Sequence, residues 1–249
     1  MERVTEKVNH HFYKEPIMRH IVGTFFFLLP IVLLLPAQGN EVPEEMKQAG
    51  WVSIFDGKTL DGWKWNGKEE GFYVKDGCIV GKGGRNHLYY IKEDFKNFEF
   101  QMDVKINPGG NSGVYIKSQW EEDTWPTTGF ELQVNATHSN PFKTGSMYDC
   151  VWYLKTPHAD NEWFNYHAIV RGNTVEVKVN GESLYIYIDR KDPLPSDTKI
   201  TAANKRIAQR GYLVLQQHDP ESVPEFKNIF IRKLPDNTRP ILSSGDMRR

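Results

Sequence analysis

The stretch Phe98-Glu99-Phe100-Gln101-Met102-Asp103-Val104-Lys105-Ile106 places a large apolar side chain at every second residue and a polar one between. Alternate side chains of an extended chain point to opposite faces, so one face here is apolar and the other wet. That is the pattern of an antiparallel strand laid against a core; a helix would repeat its apolar residues every three or four positions. The same period continues outward from this strand. Val175 to Val179 and Leu184 to Ile188 flank Asn180-Gly181, and Tyr73-Val74 and Cys78-Ile79-Val80 flank Asp76-Gly77. Both dipeptides tolerate the positive φ values of a two-residue hairpin turn. Further short runs fall at 112–119, 129–135, 166–171, 211–217 and 226–232, and helical patterning is confined to Glu44–Gln48 and Thr201–Ala208. Many short strands bounded by turns predict an all-β fold of two stacked antiparallel sheets.

Composition narrows the classes of function. A chain of 249 residues that is 25% charged and 39% hydrophobic, with two cysteines, is not a disordered, collagen-like or disulfide-framework protein. Its 31 Lys+Arg face 32 Asp+Glu, so there is no basic surplus to neutralise phosphates, and nucleic acid is not an expected partner. Seven Trp within a 13% aromatic content suit a β-rich core or a surface that stacks on sugars.

Ile21 to Pro36 is apolar and uncharged, follows Lys14, Arg19 and His20, and precedes the small residues Ala37 and Gly39. It is shorter than the roughly 20 residues that span a bilayer, so residues 1–39 read as a secretory signal peptide cut before Asn40. An uncleaved anchor is the alternative, and either reading exports the domain to the periplasm or beyond. No other membrane segment is expected. Residues 40–234 read as one domain without internal repeats, and 235–249 as a mobile C-terminal tail. Cys78 and Cys150 can pair or stay reduced.

Several ordered phrases resemble one family. They are Ile54-Phe55-Asp56-Gly57-Lys58-Thr59-Leu60-Asp61-Gly62-Trp63, Pro108-Gly109-Gly110-Asn111-Ser112-Gly113-Val114-Tyr115-Ile116-Lys117, and Gly129-Phe130-Glu131-Leu132-Gln133-Val134. Thr144-Gly145-Ser146-Met147-Tyr148, Asn161-Glu162-Trp163-Phe164-Asn165-Tyr166, Gly211-Tyr212-Leu213-Val214-Leu215-Gln216-Gln217-His218 and Phe226-Lys227-Asn228-Ile229 complete the set. The set is similar to the 3-keto-disaccharide hydrolases, also described as 3-keto-glucoside lyase/hydratases, over roughly residues 50–234. The resemblance implies a concanavalin A-like jelly-roll sandwich, an export signal, a 3-keto glucoside as substrate and a partner sugar oxidoreductase that makes the keto group. Two positions depart from the pattern. Lys117 stands where the family has Arg, keeping the charge without the bidentate fork, and His218-Asp219-Pro220 replaces a His-Gly turn.

The residues themselves show polar rows on several strands. Glu131, Gln133 and Asn135 share a face, as do Gln216 and His218, and Asn111, Gly113, Tyr115 and Lys117. Most such rows are solvated, but rows of amides beside an acid and an imidazole can orient sugar hydroxyls in a groove. Retaining glycoside hydrolysis needs two carboxylates about 5–5.5 Å apart, and the Glu131 row offers amides where the second would stand. Asp149, Asp219 or Glu121 would have to supply it from a loop.

A 3-keto sugar needs only one base, because the ketone acidifies the C2 proton. On this reading Glu131 or His218 is the base, Lys117 stabilises the developing negative charge, and Asn111, Tyr115, Gln133 and Gln216 bind the substrate. Trp120, Trp125, Tyr148 and Trp152, in or beside loops, are candidates for stacking on the pyranose, whereas Trp163 is expected in the core. His87, His138, His158, His167 and His218 show no metal-ligand spacing, so no metal residue is assigned; an oxygen-ligated calcium ion stays open without a site. A carbohydrate-binding module of the same fold and an ordinary glycoside hydrolase are the alternative functions.

Overall fold

The computed structural model describes residues 40–67, 71–189 and 210–241; the leader, the helix expected at Thr201–Ala208 and the tail beyond Ile241 lie outside the described residues. In chain order the described residues form α1 (Glu44–Gln48), β1 (Val52–Ser53), β2 (Trp63–Trp65), β3 (Phe72–Lys75), β4 (Cys78–Gly81), β5 (Asn86–Tyr90), β6 (Phe98–Lys105), β7 (Ser112–Ser118), β8 (Phe130–Val134), β9 (Phe164–Arg171), β10 (Thr174–Val179), β11 (Glu182–Ile188), β12 (Tyr212–Gln217) and β13 (Glu225–Lys233). One sheet runs β11-β10-β9-β6-β13-β4-β3 with β1 added to β13, and the smaller runs β2-β5-β12-β7-β8. The result is an all-β, two-sheet antiparallel sandwich, as the alternation predicts, of the jelly-roll kind that the family resemblance implies.

The decisive strand behaves as its pattern demands. Phe98, Phe100, Met102 and Val104 are fully buried, and join Val114, Ile116, Leu132, Val134, Leu213 and Leu215 of the smaller sheet in one core cluster. Each such side chain contributes about 1.5–3 kcal/mol by leaving water, which holds the two sheets together. Asn180-Gly181 and Asp76-Gly77 close the β10–β11 and β3–β4 hairpins with all four φ values between 50° and 80°. These positive φ values suit the right-handed twist of the flanking strands.

The two sheets differ on their outer faces. β6 alternates between buried and half-buried residues near its end, whereas every residue of β7 from Ser112 to Ser118 is buried. A strand buried on both faces needs a cover over its polar row. Residues 119–129 supply part of it, pinned where Asn66 Nδ2 donates to the carbonyls of Glu121 (3.1 Å) and Thr124 (2.7 Å). Beneath them an apolar layer of Tyr89, Tyr115 and Val214 packs with Trp120 and Tyr212.

Three expectations are corrected. Trp163 is not a core residue; it is 36% exposed, with the ammonium groups of Lys105 and Lys227 over its ring at 4.9 and 4.1 Å. The tail is anchored as far as Ile241, because Asn97 Nδ2 donates to the Pro235 carbonyl (3.0 Å) and Ile241 N to Thr174 Oγ1 (2.9 Å). Lys117 leaves the polar row, for the reason given below.

Candidate active site

A cavity of about 300 Å³ opens on the covered face of the smaller sheet. Strand alternation sends Tyr115 of β7, Glu131 and Gln133 of β8 and Gln216 of β12 into it, with Asn111 just before β7 and His218 just after β12. Trp125, Thr127, Asn140 and Tyr148 complete the wall from loops. The structure therefore brings together Asn111, Tyr115, Trp125, Glu131, Gln133, Tyr148, Gln216 and His218. Among the described residues, Glu131 is the one carboxylate in the lining. Of the possible loop partners, Glu121 is tied to Thr127 and Thr128, and Asp219 to Ser222 and His218.

Glu131 sits in a closed ring of hydrogen bonds. Tyr115 donates its hydroxyl to Oε2 at 2.9 Å, Gln216 Nε2 donates to Oε1 at 3.0 Å, and Gln216 also donates to the Tyr115 oxygen at 3.0 Å. Burial, with the Glu131 charge beside it, holds the Tyr115 phenol well above its ordinary pKa, so it stays a donor. Gly113 makes the space: a Cβ there would fall 2.7 Å from Glu131 Cγ. Gln133 donates to Asn111 Oδ1 (2.6 Å) and to the Ser112 carbonyl (2.9 Å). The buried Oε1 atoms of Gln133 and Gln216 have no hydrogen-bond partner among the described residues. An unmatched buried acceptor costs about 1–3 kcal/mol.

His218 lies at the opposite end of this polar set in sequence, and its Nδ1 is 2.7 Å from Asp219 Oδ2. Its ring is 5.2 Å from the Trp125 ring, which also lies 5.2 Å from His87. His87 is fully buried beside Tyr115, and burial, with Arg85 nearby, pushes its pKa down to about 3. It is thus a neutral prop under Trp125. His138, 6.0 Å from His218, is also lowered, first by burial and then by the neighbouring imidazole.

Three predicted site residues stand elsewhere. Lys117 has φ +56°, and one extra residue of β7 is accommodated between the Tyr212–Ser118 and Val214–Tyr115 pairs. This bulge breaks the two-residue period, so Lys117 no longer follows Tyr115; its Nζ donates to the Gly172 carbonyl at 3.1 Å. Gly129 and Gly211 permit the bulge, since a Cβ on either would come within 2.9 and 2.6 Å of the Lys117 backbone. Lys117 is 1% exposed, and burial, with Lys96 beside it, lowers its pKa to about 8. Trp120 packs on Tyr89 (5.0 Å) beneath Lys64 (4.0 Å), and Trp152 lies on Phe142 (4.2 Å) outside the cavity lining.

Thr127 and Asn140 were missed because they stand in irregular loops where no periodicity marks them. The Asp219 turn was legible: Asp followed by Pro is a favoured opening for a β-turn. Cys78 and Cys150 are not bridged. No group of three or more His, Cys, Asp or Glu side chains among the described residues is placed to hold a metal ion.

Fold and site together define a β-sandwich domain with a loop-walled, amide-rich pocket on the outer face of its smaller sheet. The chain belongs to the family of 3-keto-alpha-glucoside-1,2-lyase-like domains, whose pattern it matches over residues 50–232. Over 81 residues it is 38% identical to a 3-keto-disaccharide hydrolase of Bacteroides thetaiotaomicron, a match covering 28% of this chain and 28% of that protein. A crystal structure from Parabacteroides distasonis described as a candidate glycosyl hydrolase is 28% identical, with TM-score 0.68, over 79% of this chain and 100% of that one. A second structure so described from the same organism, 21% identical with TM-score 0.57 over 74% and 99% of the two chains, shares the fold.

Proposed function

We propose that this protein cleaves 3-keto glycosides by elimination followed by hydration. The observation that carries this reading is a pocket lined by one carboxylate, one imidazole and a set of amides, in a chain of this family. Ordinary retaining hydrolysis would need a second carboxylate about 5–5.5 Å from the first, and among the described residues none joins Glu131 in the lining. A 3-keto sugar removes that requirement.

In the first step Glu131 or His218 takes the proton from C2. The electron pair forms the C1–C2 double bond by way of the enolate, the C1–O bond breaks, and the aglycone leaves with a proton. Water then adds across the double bond, its hydroxyl to C1 and its proton to C2, so the net change is hydrolysis. With Lys117 outside the lining, the side-chain amides of Asn111 and Asn140 are neutral donors available to the enolate oxygen. Gln133 and Gln216 orient sugar hydroxyls from the pocket wall, and the pyranose stacks on Trp125 or Tyr148.

Export by the 1–39 leader, and a partner oxidoreductase that supplies the 3-keto group, belong to the same proposal. The test is incubation of the protein with matched glucoside and 3-keto glucoside, with and without chelator. Turnover of the keto form alone is expected, with losses above about 100-fold in Glu131→Gln or His218→Ala. Turnover of both sugars points to an ordinary hydrolase, binding without turnover to a carbohydrate-binding module, and near wild-type rates in both variants overturn the assignment.

A further inference from the structure

We infer that Asp219 is a positioning residue that holds His218 in its Nδ1–H tautomer, so that His218 Nε2, rather than Glu131, receives the C2 proton. This rests on the pocket reading above and goes beyond it by choosing between the two bases.

The turn Asp219-Pro220-Glu221-Ser222 is closed by Ser222 N donating to the Asp219 carbonyl at 3.2 Å. Pro220 fixes its own φ and restricts the residue before it, so the Asp219 backbone has few alternatives. Asp219 Oδ1 then collects Glu221 N (3.1 Å), Ser222 N (2.9 Å) and Ser222 Oγ (2.8 Å). Ser222 is itself buried and accepts the Asn111 backbone N–H at 2.8 Å, which ties the turn to the wall of the pocket. With Oδ1 saturated, Oδ2 is left for His218 Nδ1 at 2.7 Å.

Burial tends to raise the Asp219 pKa, but the bonds from Ser222 and His218 outweigh it and the net shift is downward. An ionised carboxylate can only accept, so the shared proton sits on Nδ1 and the lone pair of the neutral ring is on Nε2. Glu131 is placed differently. Both its oxygens already accept bonds, from Tyr115 and Gln216, which fix the carboxylate where it stands. Glu131 is the fixed anion of the site and His218 the proton carrier.

Asp219→Asn is the discriminating variant. Its Oδ1 can keep the turn amides while its Nδ2 becomes a donor facing His218 Nδ1, which forces the proton to Nε2. In ¹⁵N spectra of the imidazoles, His218 is expected as the Nδ1–H form in the wild type and as Nε2–H in the variant. With a 3-keto glucoside, kcat is expected to fall between about 10²- and 10⁴-fold while KM stays within about threefold. In the His218→Ala background Asp219→Asn adds less than about twofold. Ser222→Ala, which only loosens the clamp, gives a smaller fall and serves if Asp219→Asn does not fold.

An Nε2–H wild-type ring overturns the inference, as does a variant that flips the tautomer yet retains its kcat. If the wild type cleaves no 3-keto sugar, the functional reading fails and the proton-acceptor role with it, while the imidazole spectra still decide whether Asp219 sets the tautomer.

Discussion

Tyr115 donates its hydroxyl to Glu131 Oε2 at 2.9 Å, across a register in which β7 and β8 place the two residues directly opposite each other. The phenol is buried with its pKa raised, so it keeps its own proton and holds the carboxylate in place as a donor. Tyr115→Phe removes this bond and keeps the one from Gln216 Nε2 to Glu131 Oε1. The expected result is a loss of about 1–2 kcal/mol in unfolding free energy and a roughly tenfold fall in kcat on a 3-keto glucoside, read by denaturant titration and steady-state kinetics. Unchanged kcat would show that Glu131 needs no orientation.

Gly113 owes its identity to the same carboxylate. A methyl group there would meet Glu131 Cγ at 2.7 Å, and the carboxylate is the freer partner, so it moves. Gly113→Ala is expected to lower kcat/KM by about 30-fold while costing about 1–2 kcal/mol of stability, because overpacking acts on a side chain rather than on backbone. Wild-type kinetics in a folded variant would place the reaction away from Glu131.

The three predicted stacking tryptophans now separate. Trp125 lines the pocket and touches the His218 ring, so Trp125→Ala is expected to raise KM about tenfold and to lower kcat as well. Trp152→Ala, on the exposed side of Phe142, is expected to leave both constants within about twofold. Trp120→Ala, in the layer over Tyr89, is expected to lower the unfolding midpoint by roughly 4–8 °C and to leave KM within about threefold. Equal effects of all three on KM would contradict the pocket described.

Lys117, outside the pocket lining, carries a pH signature. Its folded pKa of about 8 lies below the ordinary value of 10.5, so between those values the unfolded chain binds more protons and stability rises with pH. Below about pH 8 the penalty for the buried ammonium is fully present. Relative to Lys117→Met, the wild type is therefore expected to gain about 1–3 kcal/mol between pH 7 and 10, measured by urea unfolding of both proteins across that range. The variant keeps kcat/KM within about threefold. A loss above about 100-fold would restore Lys117 to the reaction.

Much of the fold was legible because strand alternation is a local property. Phe98 to Ile106, the Asn180-Gly181 and Asp76-Gly77 turns and the apolar runs of β8, β9, β12 and β13 each announce themselves within a few residues. The polar rows of Glu131 with Gln133 and of Gln216 with His218 were legible for the same reason, and the cavity contains all four. The Lys117 position was not, because a bulge is set by the fit of β7 against β12 and by the close approach of Gly129 and Gly211, which come from distant parts of the chain. Trp163 failed similarly: an indole beside a strand can face the core or two lysines, and only the partner strands choose.

The amino-acid sequence by itself determined the period of the strands, the hairpin turns and which side chains of β8 and β12 share a face, since covalent geometry and the size of Cβ act between neighbours in the chain. Only the tertiary structure decided that those faces meet, that the smaller sheet is covered on its outer side, and that Asp219 Oδ2 rather than solvent faces His218 Nδ1. Those outcomes depend on contacts such as Asn111 with Ser222 and Tyr115 with Gln216, each more than 100 residues apart. Closing loops of that length yields a unique geometry only once the whole core has packed.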